Sequence, residues 1–237
     1  MFVDMHHHLI YGIDDGAKDF EGTKKMIAQA VENQVHTIIT TPHITPGQEP
    51  FPYETYKAHL EETRKYLEEN KIDLTLYTGC EVLYTPSTPY FLSEGKVFTL
   101  ANTNHVLVEF MPDDEYADLL KAGRSVAEMG YVPVYAHVER YDCLKKPEQL
   151  RRLRREFDAL IQVNASTVID KHGFFRQRYL NRIFEEELVD FVSSDSHDLP
   201  GRDSHMAEAF DELTVRFGID LAHALTHGNA EKILRVI

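Results

Sequence analysis

Short runs of β-branched and apolar residues alternate along the chain with longer stretches whose apolar positions recur every three or four residues. Residues 2–5, 37–41, 74–78, 106–110, 132–136, 160–163 and 189–192 read as strands. Between them, Met26, Ile27, Ala30 and Val31 make one helical stripe and Tyr56, Leu60, Thr63 and Leu67 a second. Leu119, Gly123, Val126 and Ala127 make a third, and Met206, Phe210, Leu213 and Phe217 share a face near the C-terminus. Strands separated by helices predict right-handed βαβ units on a parallel sheet. Seven such units without a Gly/Pro/Ser-rich linker predict an α/β fold in one domain over residues 1–237, a single barrel ahead of an open doubly wound sheet.

Composition narrows the classes of function. The 237 residues are 43% hydrophobic and carry 25 Lys and Arg against 39 Asp and Glu, a formal charge of −14. That is a globular rather than a disordered composition, and the acidity argues against a duplex nucleic-acid binder. No uncharged apolar run approaches ~18 residues, so no membrane insertion is expected. The N-terminal Met1-Phe2-Val3-Asp4 lacks a charged segment followed by an apolar one, which points to the cytoplasm. Two cysteines, Cys80 and Cys143, cannot build a disulfide framework and agree with a reducing compartment. The basic run at residues 151–155 reads as a solvated helix face after Pro147.

The chemistry collects where strands end. The first strand closes on His6-His7-His8, and side chains alternate along a strand, so His6 and His8 share a face roughly 6.6 Å apart at ~3.3 Å per residue. Two imidazoles so placed can converge on one metal ion, while His7 faces the other way as a structural residue. Asp195 and His197 repeat the same i, i+2 spacing after the last strand. His43, Glu81, Glu109 and His137 close or follow the strands between, and Asp15 beside Gly16 can reach the same mouth, whereas Asp14 reads as a turn residue. Glu109, between Val108 and Phe110, needs a partner if it is ionised. In parallel α/β folds functional groups gather at the carboxyl ends of the strands, which would bring all of these together.

Taken as a set, His6-x-His8, Asp14-Asp15-Gly16, Thr41-Pro42-His43, Gly79-x-Glu81, Glu109-Phe110, His137-Val138-Glu139-Arg140-Tyr141 and Ser194-Asp195-x-His197 resemble the polymerase and histidinol phosphatase (PHP) superfamily. The match is closer to its bacterial tyrosine-protein phosphatase branch of capsular and exopolysaccharide synthesis, with which Gly201-Arg202 and the segment His205-Met206-Ala207-Glu208-Ala209 also agree. The resemblance covers nearly the whole chain. It implies a distorted seven-stranded (β/α)7 TIM-like barrel and three divalent metal ions, manganese foremost, with Fe, Zn, Co or Mg able to serve. His6, His8, Glu81 and Asp195 would hold the first ion. Glu81, Glu109 and His137 would hold the second, Glu109 being preferred to His105 on the same strand face because it lies at the carboxyl end. Asp15, His43 and His197 would hold the third.

The activity so implied is a metal-dependent protein-tyrosine phosphatase acting through a metal-activated hydroxide. Its substrate would be a tyrosine-phosphorylated protein, a bacterial tyrosine kinase of polysaccharide export. Arg140 and Arg202 are the expected phosphate clamps, with pairing of Arg140 to Glu139 or Asp142 as the plain alternative. Three divalent ions outweigh the four carboxylates of the set, which reconciles an acidic chain with a dianionic substrate. His205 is a weak candidate acid, equally well a helix-terminal residue. A small-molecule phosphoesterase of the histidinol-phosphate type is the alternative with the same chemistry. An amidohydrolase would want a Lys at a strand end, and a binding subunit would be expected to have lost ligands. Cysteine chemistry fails on spacing, because Pro86 and Gln149 stand six residues after Cys80 and Cys143 where an Arg is required.

Overall fold

The computed structural model describes residues 1–48, 50–197 and 202–235. Their strands are β1 (Phe2–His7), β2 (Val35–Thr40), β3 (His43–Ile44), β4 (Thr75–Thr78), β5 (Glu81–Leu83), β6 (His105–Glu109), β7 (Val132–Tyr135), β8 (Leu160–Asn164) and β9 (Phe191–Ser193). The helices are α1 (Phe20–Glu32), α2 (Tyr53–Glu69), α3 (Thr88–Ser93), α4 (Tyr116–Glu128), α5 (Pro147–Phe157), α6 (Ala165–Ile169), α7 (Phe174–Glu185), α8 (Met206–Phe217), α9 (Ile219–His223) and α10 (Asn229–Leu234). Every paired strand runs parallel to its neighbour, as alternating βα units require.

The strands form two sheets, one of order β1-β2-β4 and one of order β3-β5-β6-β7-β8-β9, rather than the single seven-stranded ring that the sequence predicts. The cause is local. The second expected strand is cut at Thr41-Pro42, and proline has no N–H to continue a ladder. The third is cut at Gly79-Cys80. Gly79 is needed there because a Cβ would stand 2.9 Å from Ile39 Cγ2 and 3.2 Å from the carbonyl oxygen of Thr40. Above each cut the strand continues as β3 or β5 and joins the larger sheet. At the other edge β1 meets the end of β9. Asp195 N–H donates to the His6 carbonyl and His8 N–H to the Ser196 carbonyl, each at 2.9 Å.

Strand alternation divides the core in two. Ile38, Val106, Val108, Ile161 and Val163 face the helices. Val3, Met5, Ile39, Leu107, Val134 and Phe191, drawn from both sheets, pack into a separate inner cluster closed by Leu100, Ala101, Ala230 and Ile233. Fully burying side chains of this size contributes ~1.5–3 kcal/mol each. The helical stripes are placed as expected, with one exception: Val31 is 44% exposed, while Met26, Ile27 and Ala30 are buried. On α5 the basic run is spent on ion pairs, including Arg152 with Glu156 and Arg154 with Asp190. Among the described residues no helix is long and apolar enough to cross a membrane.

Candidate metal centre

A bulge in β1 aims the first two ligand candidates. Four residues of β1, Asp4 to His7, are matched by three of β2, Ile38 to Thr40. Such an insertion reverses the inward–outward phase of the strand. Val3 and Met5 can thus fill the inner core while His6 and His8, not His7, face the mouth. His6 Nε2 and His8 Nε2 come to 3.1 Å of each other. His7 belongs to none of the donor groups, and burial pushes its imidazole down to about 3, so it stays neutral.

Three groups of donors converge at the carboxyl ends of the strands. In each, the offered atoms lie within 4.8 Å of one another: His6, His8, Glu81 and Asp195; His8, Asp15, His43 and His197; and His43, Glu81 and Glu109. In the first, Glu81 Oε2 stands 2.9 Å from His6 Nε2 and 3.2 Å from His8 Nε2, and Asp195 Oδ1 stands 3.4 and 3.6 Å from the same nitrogens. In the second, Asp15 Oδ1 lies 3.4 Å from His43 Nε2 and 3.2 Å from His197 Nε2. In the third, His43 Nδ1 lies 3.2 Å from Glu81 Oε2 and 2.9 Å from Glu109 Oε1. His137 Nε2 reaches the same region, 2.8 Å from Glu81 Oε1 and 3.7 Å from Glu109 Oε2. The structure therefore brings all nine expected ligand residues to one mouth. Two details differ from the expected grouping: His8 also faces the third position, and His43 bridges towards the second. His105 bonds Thr103 Oγ1 at the opposite end of β6 from Glu109.

Donor chemistry and spacing fit divalent cations. Bonds of ~2.0–2.2 Å to a shared ion place neighbouring ligands roughly 3.0–3.5 Å apart, close to the separations found here. Glu81 Oε2 and His197 Nε2 are buried and make no hydrogen bond, although other donors lie within ion-pair distance of both. Buried polar atoms that are crowded together but not bonded to each other are arranged as ligands are. Electrostatics agree. Burial opposes the charges, yet Asp14 and Glu81 push His8 up to about 9, and Asp15, Glu109 and Glu81 push His43 up to about 11. His197 is pushed down to about 3 by burial and the charge of His8. Despite burial, Asp195 is held well below the usual carboxylate range by His6, and Glu81 by His6 and His137. The hydrogen bond to His43 does the same for Asp15 against a smaller burial penalty.

Two of these residues sit on backbone that side chains ordinarily avoid. His137 has φ 30° and Asp195 φ 53°, left-handed conformations that cost ~1 kcal/mol or more and collect at functional sites. Both stand just past the end of a strand, where the turn directs the side chain into the mouth.

A supporting layer escapes the sequence reading. Asp14, read as a turn residue, accepts from His8 Nδ1 at 2.7 Å and from His43 N–H at 2.9 Å, and its other oxygen accepts from Gly16 N–H. The loop passes so close that a Cβ on Gly16 would meet the His8 carbonyl oxygen at 2.1 Å. Gln162 Oε1 lies 3.3 Å from His6 Nδ1 and accepts from His137 N–H at 2.7 Å. Its amide donates to Asn164, which in turn donates to Asp195 Oδ2, each at 2.8 Å. The available signal is that Gln162 and Asn164 are amides at i, i+2 inside a buried strand, the same pattern that marks His6 and His8.

The two arginines lean over this mouth. Arg140 Nη2 is 2.8 Å from Asp195 Oδ2, with the side chain 41% exposed. It does not take the plain alternatives. Glu139 accepts from Asn164 N–H and Thr167 Oγ1, and Asp142 pairs with Lys145. Arg202 reaches Asp15 Oδ2 at 3.2 Å and both oxygens of Asp195 at 3.4 Å. Both line a cavity of about 170 Å³ with Asp195, Asn164 and His205. His205 begins α8 and pairs with Glu208 one turn on, the helix-terminal role. Gly201, the neighbour of Arg202 in the motif, lies outside the described residues.

Parallel strands that deliver histidines and carboxylates to one mouth define the class of α/β proteins built around a metal centre at the carboxyl strand ends. Within it, the chain belongs to the CpsB/CapC family of capsular polysaccharide synthesis, whose family model matches residues 2–235. It is 29% identical over 238 residues to the tyrosine-protein phosphatase CpsB of Streptococcus pneumoniae, covering 98% of each chain. It is 30% identical over 235 residues to the tyrosine-protein phosphatase YwqE of Bacillus subtilis, covering 98% of this chain and 91% of that one. A crystal structure from the work on YwqE and CpsB, described as unique metal-dependent tyrosine phosphatases, superposes with a TM-score of 0.86 at 30% identity, over 98% of this chain and 94% of that one. The family resemblance carried by the motifs is thus borne out.

Proposed function

We propose that this chain is a metal-dependent protein-tyrosine phosphatase of capsular or extracellular polysaccharide synthesis, acting in the cytoplasm on a tyrosine-phosphorylated kinase. The observation that carries the reading is the pair Arg140 and Arg202, both bent onto Asp195 at the rim of a buried His/carboxylate cluster. His6, His8, Glu81 and Asp195 would hold one ion, Glu81, Glu109 and His137 a second, and Asp15, His43 and His197 a third. Mixed nitrogen and oxygen donors suit Mn, Fe, Zn or Co alike, and we take Mn as the foremost of them from the family resemblance. When bound, such ions polarise a phosphoryl group and make water a usable nucleophile near neutral pH. We read the two sheets as one distorted seven-stave barrel, its second and third staves broken, within one domain over 1–237.

The chain's own residues do the positioning. Arg140 and Arg202 now bond carboxylate oxygens, and a phosphate offers the same planar forks a doubly charged partner in their place. Asp14 and Gln162 fix the rings of His8 and His6 through the nitrogen each does not offer to the mouth. Phenolate is a good leaving group, with an ordinary pKa near 10, so departure needs no proton donor, and His205 stays with Glu208. A thiol route is closed. Cys80 is buried, its Sγ donates to the Phe98 carbonyl, and burial pushes the thiol up to about 12.

Phosphate release from matched phosphotyrosine and phosphoserine peptides, and from histidinol phosphate, tests the reading. The highest kcat/KM is expected on phosphotyrosine, and a preference for histidinol phosphate would replace the protein substrate by the metabolite. A second expectation concerns Asp14. Asp14→Asn removes the carboxylate that holds His8, so Mn2+ affinity measured by calorimetry should weaken about 10–100-fold. An unchanged Kd would return Asp14 to the role of a turn residue.

A further inference from the structure

Beside the arginine mouth, a larger cavity of about 570 Å³ opens between residues 139–145 and α7. Arg140 lines both cavities, so they lie on either side of one side chain. The volume falls in the range of ligand-binding clefts. Buried Tyr141 lies on its floor with Tyr179, whose hydroxyl is shielded from solvent yet has no hydrogen-bond partner. Phe175 stands on the wall, 85% exposed, packed edge-on against Phe174, itself 73% exposed. Neither ring belongs to the hydrophobic core. Adjacent exposed aromatics at the lip of a cleft mark a contact surface more than singly scattered apolar residues do.

The charge pattern says what would lie there. The acids of the lining are already engaged, Asp142 with Lys145 and Glu139 with Asn164 and Thr167. Arg176, on the same wall, makes no ion pair or hydrogen bond within the described residues. An unpaired cation beside exposed rings, in a chain of net charge −14, is complementary to an acidic segment with apolar side chains. A monoester small enough to sit wholly in the 170 Å³ cavity has nothing to place in the larger one.

We propose that this cleft seats the polypeptide that carries the phosphotyrosine. The substrate chain leaves the mouth past Arg140, lays an apolar side chain against Phe175 and Tyr179, and sets a carboxylate on Arg176. The inference rests on the phosphatase reading and adds to it the chemistry of the substrate: an acidic segment flanking the tyrosine.

Steady-state kinetics on p-nitrophenyl phosphate and on two phosphotyrosine peptides, one with aspartates around the tyrosine and one with asparagines, test it. The wild-type protein should show a KM about fivefold lower for the aspartate peptide. Arg176→Glu should raise that KM about tenfold and abolish the preference, and Phe175→Ala should raise KM for both peptides about fivefold. Both variants should keep the wild-type kcat/KM on p-nitrophenyl phosphate, which fills only the mouth. Peptide KM values within twofold of wild type in both variants, or a parallel loss on p-nitrophenyl phosphate, would overturn the cleft assignment while leaving the phosphatase reading intact. A wild-type protein inactive on all three substrates would take down the phosphatase reading and this inference with it.

Discussion

Chelation of divalent cations abolishes hydrolysis of p-nitrophenyl phosphate, and added Mn2+ restores it: this is the largest effect expected for the protein. Without cations, the site holds carboxylates and imidazoles that neutralise one another, His8 against Asp14 and Glu81, His43 against Asp15 and Glu109. None of these groups is a strong nucleophile or a strong electrophile. The two arginines offer positive charge to a phosphate, but both are already committed to Asp195 and Asp15. The charge stabilisation lost with the ions is several kcal/mol, about a thousandfold or more in rate. Elemental analysis of the treated protein has to accompany the assay. Undiminished turnover at less than one ion per chain would refute a metal-dependent mechanism.

The second large effect is expected for Arg140→Ala, with kcat/KM falling about a hundred- to a thousandfold and metal content unchanged. Asp195 keeps its hydrogen bond from Asn164 and its contact with Arg202, so the variant does not leave that carboxylate buried and unpaired. What disappears is a planar fork at the mouth, partly exposed and free to exchange Asp195 for a substrate oxyanion. Arg140→Lys should recover only part of the loss, because an ammonium cannot present two parallel donors. Near-normal kinetics for Arg140→Ala would reduce the residue to a structural partner of Asp195.

Much of this was legible in the sequence because strand geometry is periodic. The i, i+2 spacing of His6 with His8 and of Asp195 with His197 needs no tertiary knowledge, and parallel α/β logic gathers the strand ends at one mouth. What was not legible depends on contacts between distant segments. Asp14 looks like any carboxylate before a glycine. Its role appears only when the loop folds back so that His8 and the backbone of His43 reach the same oxygen. The bulge in β1 leaves no mark on the apolar pattern, yet it decides which face of the strand His6 occupies. Gln162 and Asn164 carried the right pattern, but amides at a strand end are less conspicuous than imidazoles. Pro42 and Gly79 stand in the sequence just where the second and third expected strands close. Their effect, moving two strand segments into another sheet, required knowing what lies beside them.

Those two breaks have a mechanical consequence. Below them, β2 is paired with β1 and β4 with β2; above them, His43 and Glu81 stand as register partners in a separate ladder joined to β6. A shift of the short upper rungs would therefore carry His43 and Glu81 together, while the packed interior underneath keeps its own register.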